Sequence, residues 1–112
     1  MYIAMNRFKV IPGEEAAFEE VWISRESTLL ELPGFLEFQL LRGPVFEDHT
    51  LYSSYTRWER KEDFEFWTKS PQFRASHERA GKRRPLTIGH PQFEGFEVLQ
   101  HMGAPSAQTA AA

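Results

Sequence analysis

Cysteine is missing from all 112 residues, which excludes disulfides, thiolate metal sites and cysteine nucleophiles together. Its absence fits a reducing compartment. Long apolar runs are missing too, since no stretch approaches the ~20 apolar residues that a membrane-spanning helix needs. The opening MYIAMNRFKV lacks the charged start and extended apolar core of a secretion signal. A soluble cytoplasmic protein without membrane contact is therefore expected. There is no excess of positive charge: 13 Lys and Arg stand against 16 Asp and Glu, for a net charge of −3. General affinity for nucleic acid or anionic membrane is not expected from such a balance. HxxxH and HExxH pairs are also lacking, which argues against a zinc site built from several histidines.

What the chain does have is aromatic bulk. Ten Phe and three Trp in 112 residues supply enough apolar volume for a packed core without a metal or a disulfide. The length suits one domain, expected over residues 1–102. The small, polar tail from 103 to 112 is expected to be disordered.

Tyr2 to Val10 alternates as a strand, with Tyr2, Ala4, Asn6, Phe8 and Val10 on one face and Ile3, Met5, Arg7 and Lys9 on the other. Pro12-Gly13 closes it. Glu14 and Glu15 open a helix, where negative charge suits the positive end of the helix dipole. Phe18, Val21, Trp22, Leu29 and Leu32 continue at helical spacing until Pro33-Gly34. Strands follow over Phe35 to Leu41 and Thr50 to Trp58, joined by the turn-rich RGPVFEDH. In the first of these, Leu36, Phe38 and Leu40 are expected to oppose Phe35, Glu37, Gln39 and Leu41. A short helix is expected over Lys61 to Thr68. Ser70-Pro71 then reads as an N-cap and first helical residue of another short helix, running to about Ala80. A last strand covers about Phe93 to Gln100. The order β-α-β-β-α-β, with the second helix broken in two, is the α+β ferredoxin-like arrangement. Its helices cover one sheet face only. Ile3, Met5, Leu51 and Tyr55 remain on the other, so a homodimer packed sheet against sheet is expected.

Three residues stand out chemically. Asn6 is out of place in a strand, either as a satisfied polar group or as a donor aimed at a ligand. His77 is the one histidine of the four in a predicted helix; His49 sits in a turn, His90 in a Gly-His-Pro loop and His101 near the chain end. A lone helical histidine is commonly structural, yet one imidazole suffices for haem iron, because the porphyrin supplies four donors. Trp67, with Phe64 three residues before it, reads equally well as core. In an unbroken helix Trp67 and His77 would point ~80° apart. The break at Ser70-Pro71 lets them converge without requiring it.

The segments MNRFKV (5–10), LPGFLEFQLLRGP (32–44), HTLYSSYTRWE (49–59) and FWTKSPQFRASH (66–77) resemble the IsdG-like haem-degrading monooxygenases of the antibiotic biosynthesis monooxygenase superfamily. The resemblance implies a dimeric ferredoxin-like α+β barrel. It places the family's Asn, Trp and His triad on Asn6, Trp67 and His77. By that likeness His77 is the axial ligand of haem iron, Asn6 acts on the distal side, and Trp67 ruffles the macrocycle. Haem would be both substrate and oxygen-activating group, with O2 and electrons from an external reductase. Trp22, Arg25 and Phe73 would line the pocket. Arg25 can pair with a propionate or, equally, with neighbouring Glu. The basic run Arg79, Lys82, Arg83 and Arg84 suits a helix C-terminus better than propionates. A haem carrier or sensor without turnover, and a cofactor-free quinol-type monooxygenase, are the alternatives.

Overall fold

The computed structural model describes residues 1–24, 29–75 and 84–104. Four antiparallel strands form one sheet in the order β2-β3-β1-β4: β1 Tyr2–Val10, β2 Phe35–Val45, β3 Thr50–Trp58 and β4 Gln92–Glu97. Helix α1 spans Glu15–Ile23 and α2 spans Lys61–Thr68. This is the ferredoxin-like order expected from the pattern, and β1, β3 and α2 keep the expected bounds.

Strict alternation of burial along β3 sets the two faces of the sheet apart. Thr50, Tyr52, Ser54, Thr56 and Trp58 are buried, while Leu51, Ser53, Tyr55 and Arg57 are only half-buried. The β1 register pairs Tyr2 with Trp58, Ala4 with Thr56, Asn6 with Ser54 and Val10 with Thr50. Tyr2, Ala4, Asn6, Phe8 and Val10 therefore share the helix-covered face. Ile3, Met5, Arg7 and Lys9 lie on the open one, as the alternation predicts.

Two hydrophobic clusters stand on the covered face. Around Tyr2, Ala4 and Trp58 gather Leu29, Leu32, Phe35, Phe64 and Trp67. Around Val10, Phe18 and Tyr52 gather Phe8, Trp22, Leu40 and Leu86. The first is capped by α2 and the second by α1. Two glycines are demanded by close approach. At Gly34, with φ +79°, an added Cβ would lie 2.0 Å from Asp63 Oδ2; at Gly95 it would lie 1.9 Å from the Tyr2 hydroxyl.

The structure corrects several boundaries and one facing. The first helix stops at Ile23, where the Ser24 hydroxyl donates to the Glu20 carbonyl at 2.6 Å and competes with the next helical turn. Leu29–Glu31 is a separate 3-10 turn rather than a continuation. A bulge between Phe35 and Glu37 swings Phe35 onto the covered face, where its ring meets Trp58 edge-on at 5.5 Å. Strand β2 runs on to Val45 through a second irregularity between Arg42 and Val45, which lets an edge strand accommodate Pro44. Strand β4 is shorter than expected and ends at Glu97.

Candidate active site

Helix α1 is tied to the sheet by two carboxylates one turn apart. Glu15 accepts a hydrogen bond from the Thr50 hydroxyl at 2.8 Å, and Glu19 accepts a short one from the Tyr52 hydroxyl. Arg42 adds a contact to Glu19 at 3.4 Å. Residues 15 and 19 share a helix face, and residues 50 and 52 share a strand face, so the spacing locks α1 in rotation as well as position. The consequence is a fixed Trp22. Its ring stacks on Phe38 at 5.8 Å and 17° and meets Phe8 at 5.7 Å.

Burial, followed by the bond to Glu19 and its negative charge, pushes the Tyr52 phenol up from 10.0 to about 12. The folded chain thus holds this proton more tightly than the unfolded chain does. The stability it brings is complete below pH 10 and is lost as pH rises toward 12. Urea unfolding of the wild type should weaken across that interval. In Tyr52→Phe the decline should be smaller, the remainder coming from Tyr55, whose phenol burial and the charge of Glu37 also push up.

On the opposite side, α2 presents Trp67, pinned by three rings. Trp58 lies at 5.7 Å and 29°, Phe64 at 6.0 Å, and Phe73 edge-on at 4.8 Å and 83°. Trp67 is therefore partly core, as one of its two readings held, yet it stays half-exposed. The Ser70 hydroxyl accepts the Phe73 N–H at 3.2 Å, an N-cap for the helical residues 71–75. That cap re-aims the chain after α2 and brings Phe73 back onto Trp67. His77 and Arg25 lie outside the described residues, as do Arg79, Lys82 and Arg83. Arg84 forms a close ion pair with Glu14 at the start of α1.

Between the two aromatic clusters the central strands β1 and β3 carry small or polar side chains, while the edge strands also carry Leu40, Phe38 and Phe93. Leu40, Ser54, Asn6 and Phe93 form one row across the four strands, and Phe38, Thr56, Ala4 and Gly95 the next. Among the described residues, no ring contact joins the Trp22 group to the Trp67 group. Thr56 is internally satisfied: it donates to the Ala4 carbonyl at 3.3 Å and accepts from Trp58 Nε1 at 2.9 Å. Asn6 and Ser54, by contrast, make no side-chain hydrogen bond among the described residues. Aromatic clusters on two sides with two unbonded polar groups between them are the chemistry that suits a flat, largely apolar ligand.

Asn6 was legible as an anomaly in its strand. Ser54 was not singled out, although the same argument applies to a serine in the middle of a buried strand face. A shallow cleft of about 300 Å3 also occurs on the open sheet face, lined in part by Arg7, Lys9, Leu51, Ile88 and His90. It lies on the other side of the sheet from Asn6 and Trp67.

Comparison with known proteins identifies the fold and family. Residues 1–79 match the family described as Antibiotic biosynthesis monooxygenase. A haem-degrading monooxygenase of Bacillus thuringiensis (strain Al Hakam) is 44% identical over 81 residues, covering 72% of this chain and 75% of that one. The haem degrader MhuD of Mycobacterium tuberculosis, solved with two haems bound in its active site, is 34% identical with a TM-score of 0.72. It covers 92% of this chain and 100% of its own. SnoaB, a cofactor-independent oxygenase of Streptomyces nogalater, is 25% identical with a TM-score of 0.65, covering 92% of this chain and 97% of its own. By fold and by the match over residues 1–79, this chain belongs to the antibiotic biosynthesis monooxygenase family.

Proposed function

We propose that this protein is a haem-degrading monooxygenase that takes haem into the slot between α1 and α2, opens the porphyrin and releases its iron. The observation that carries the reading is the opposed pair Asn6 and Ser54, without side-chain partners among the described residues, on the helix-covered face between the Trp22 and Trp67 clusters. Haem is the substrate, and when bound it supplies both the oxidisable ring and an iron that activates O2. The chain's own contribution is to bind, orient and distort.

His77 follows the capped segment 71–75 and is the proposed axial ligand. Trp67 is braced from behind by Trp58 and from the side by Phe73, so it can press on a macrocycle without yielding. That rigidity supports its proposed role in ruffling the ring. Asn6, without a partner among the described side chains, can offer its amide to whatever occupies the distal side. Trp22 and Phe73 line the slot, and Arg25 is the proposed partner of a propionate.

The electrons would come from an external reductase. The site of action is proposed to be cytoplasmic; among the described residues, no helix is long and apolar enough to cross a membrane. A homodimer through the open face is supported by Ile3, Met5, Leu41, Leu51, Tyr55 and Phe96, which lie on the side away from both helices. Sedimentation velocity should give twice the monomer mass; a monomer at all concentrations would reject this assembly.

The functional test is haemin titration followed by reductant in air. A shifted Soret band that decays, with iron released to a ferrous chelator, is expected. A stable Soret band would make the protein a carrier or sensor. No shift at all would leave the cofactor-independent chemistry of SnoaB as the better comparison. Asn6→Ala is expected to bind haemin normally while losing most turnover. Wild-type turnover in that variant would return Asn6 to a structural role.

A further inference from the structure

We propose that Ser54 is a second ligand-binding group of the slot. Its hydroxyl and the Asn6 amide would together hold one small oxygen-bearing or anionic molecule over the floor, at the distal side of the haem. The inference rests on the haem reading above and goes beyond the triad of Asn6, Trp67 and His77.

Ser54 is 7% exposed and sits in the middle of the covered face, yet its hydroxyl has no hydrogen-bond partner among the described residues. No polar side-chain atom of the described residues is both sealed from solvent and unbonded, so this hydroxyl keeps access to solvent from the helix-covered face. Serine lacks the β-branched or aromatic bulk that strand interiors favour, so its place here is not explained by packing. Its neighbours on the face show the contrast. Thr56 spends its hydroxyl on the Ala4 carbonyl and the Trp58 indole, and Tyr52 spends its own on Glu19. Among the described residues, Ser54 alone in that strand face keeps an unused donor.

The register then supplies the geometry. Asn6 and Ser54 are direct partners across β1 and β3. Directly opposed residues of an antiparallel pair have Cβ atoms about 4.5–5.5 Å apart. The two side chains do not bond each other, but a single atom between them can be within ~2.8–3.0 Å of both polar ends. Asn can donate or accept, and so can Ser, so the pair can hold water, dioxygen or a small anion.

Azide binding to the ferric haem complex of the full chain tests this without relying on turnover. Loss of one neutral hydrogen bond should weaken azide about 2- to 10-fold in Ser54→Ala. Ser54→Thr, which keeps the hydroxyl, should bind azide as the wild type does. Unchanged azide affinity in Ser54→Ala, with haemin bound normally, would overturn the role of Ser54 while leaving haem binding intact. Equal weakening in both variants would assign the effect to packing and overturn it too. A wild type that gives no Soret shift with haemin would remove the haem reading itself, and Ser54 with it.

Discussion

Trp58→Ala is expected to remove about 3–5 kcal/mol of stability, the range for emptying a large aromatic from a core. Trp58 is wholly buried, and the rings of Phe35, Phe64 and Trp67 all meet it. Its indole also donates to Thr56 at 2.9 Å, so truncation removes a buried hydrogen bond along with the packing. Domains of this size hold about 5–15 kcal/mol in all. At roughly 4–8 °C per kcal/mol, the melting temperature should fall by more than ~12 °C. Calorimetry checks this directly; a fall of only a degree or two would mean the cluster is not the core. The functional consequence follows from the same contacts. Without Trp58 the back of Trp67 is unsupported, so any protein that still folds should bind haemin loosely.

The second large effect is expected of His77→Ala. Disturbing only the groups around a metal ligand commonly weakens metal sites by about 10–100-fold. Loss of the ligand itself should exceed that, with the haemin Soret band returning to that of unligated haem and turnover falling to background. Added imidazole should restore the band, because the slot on the sheet remains. A mutant that binds and degrades haemin like the wild type would exclude His77 as ligand. Trp67→Ala makes a useful contrast in the same titration, since it alters the wall and leaves the ligand in place.

How far the sequence disclosed this arrangement depended on whether one signal dominated each segment. Strands β1 and β3 were legible because alternation persisted over nine residues and turn residues bounded both. Helix α2 and the Ser70 cap were legible for a similar reason, the cap being a side-chain bond to a backbone N–H three residues on. The first helix was read too long. Leu29 and Leu32 fit a helical period, but a 3-10 turn places leucines on the core equally well, and periodicity cannot separate the two. Phe35 was assigned the wrong face because a single-residue bulge inverts alternation, and nothing in Phe-Leu-Glu announces one.

The site was legible in part. Asn6 declared itself by being unsuited to a strand. Ser54 did not, since a small hydroxyl residue in a strand reads as exposed until its register with Asn6 is known. Trp67 was ambiguous in sequence; the structure places one side of its ring on Trp58 and leaves the residue half-exposed. The pairing of Glu15 and Glu19 with Thr50 and Tyr52 joins residues more than thirty positions apart. Sequence spacing alone carries no sign of such contacts.

A crystal structure of the full chain with haemin tests the central claim most directly. The porphyrin should lie over Asn6 and Ser54, flanked by Trp22 and Trp67, with its iron on the His77 imidazole. Density for the porphyrin on the open face beside Arg7 and Lys9, or iron bound by His90, would contradict the account.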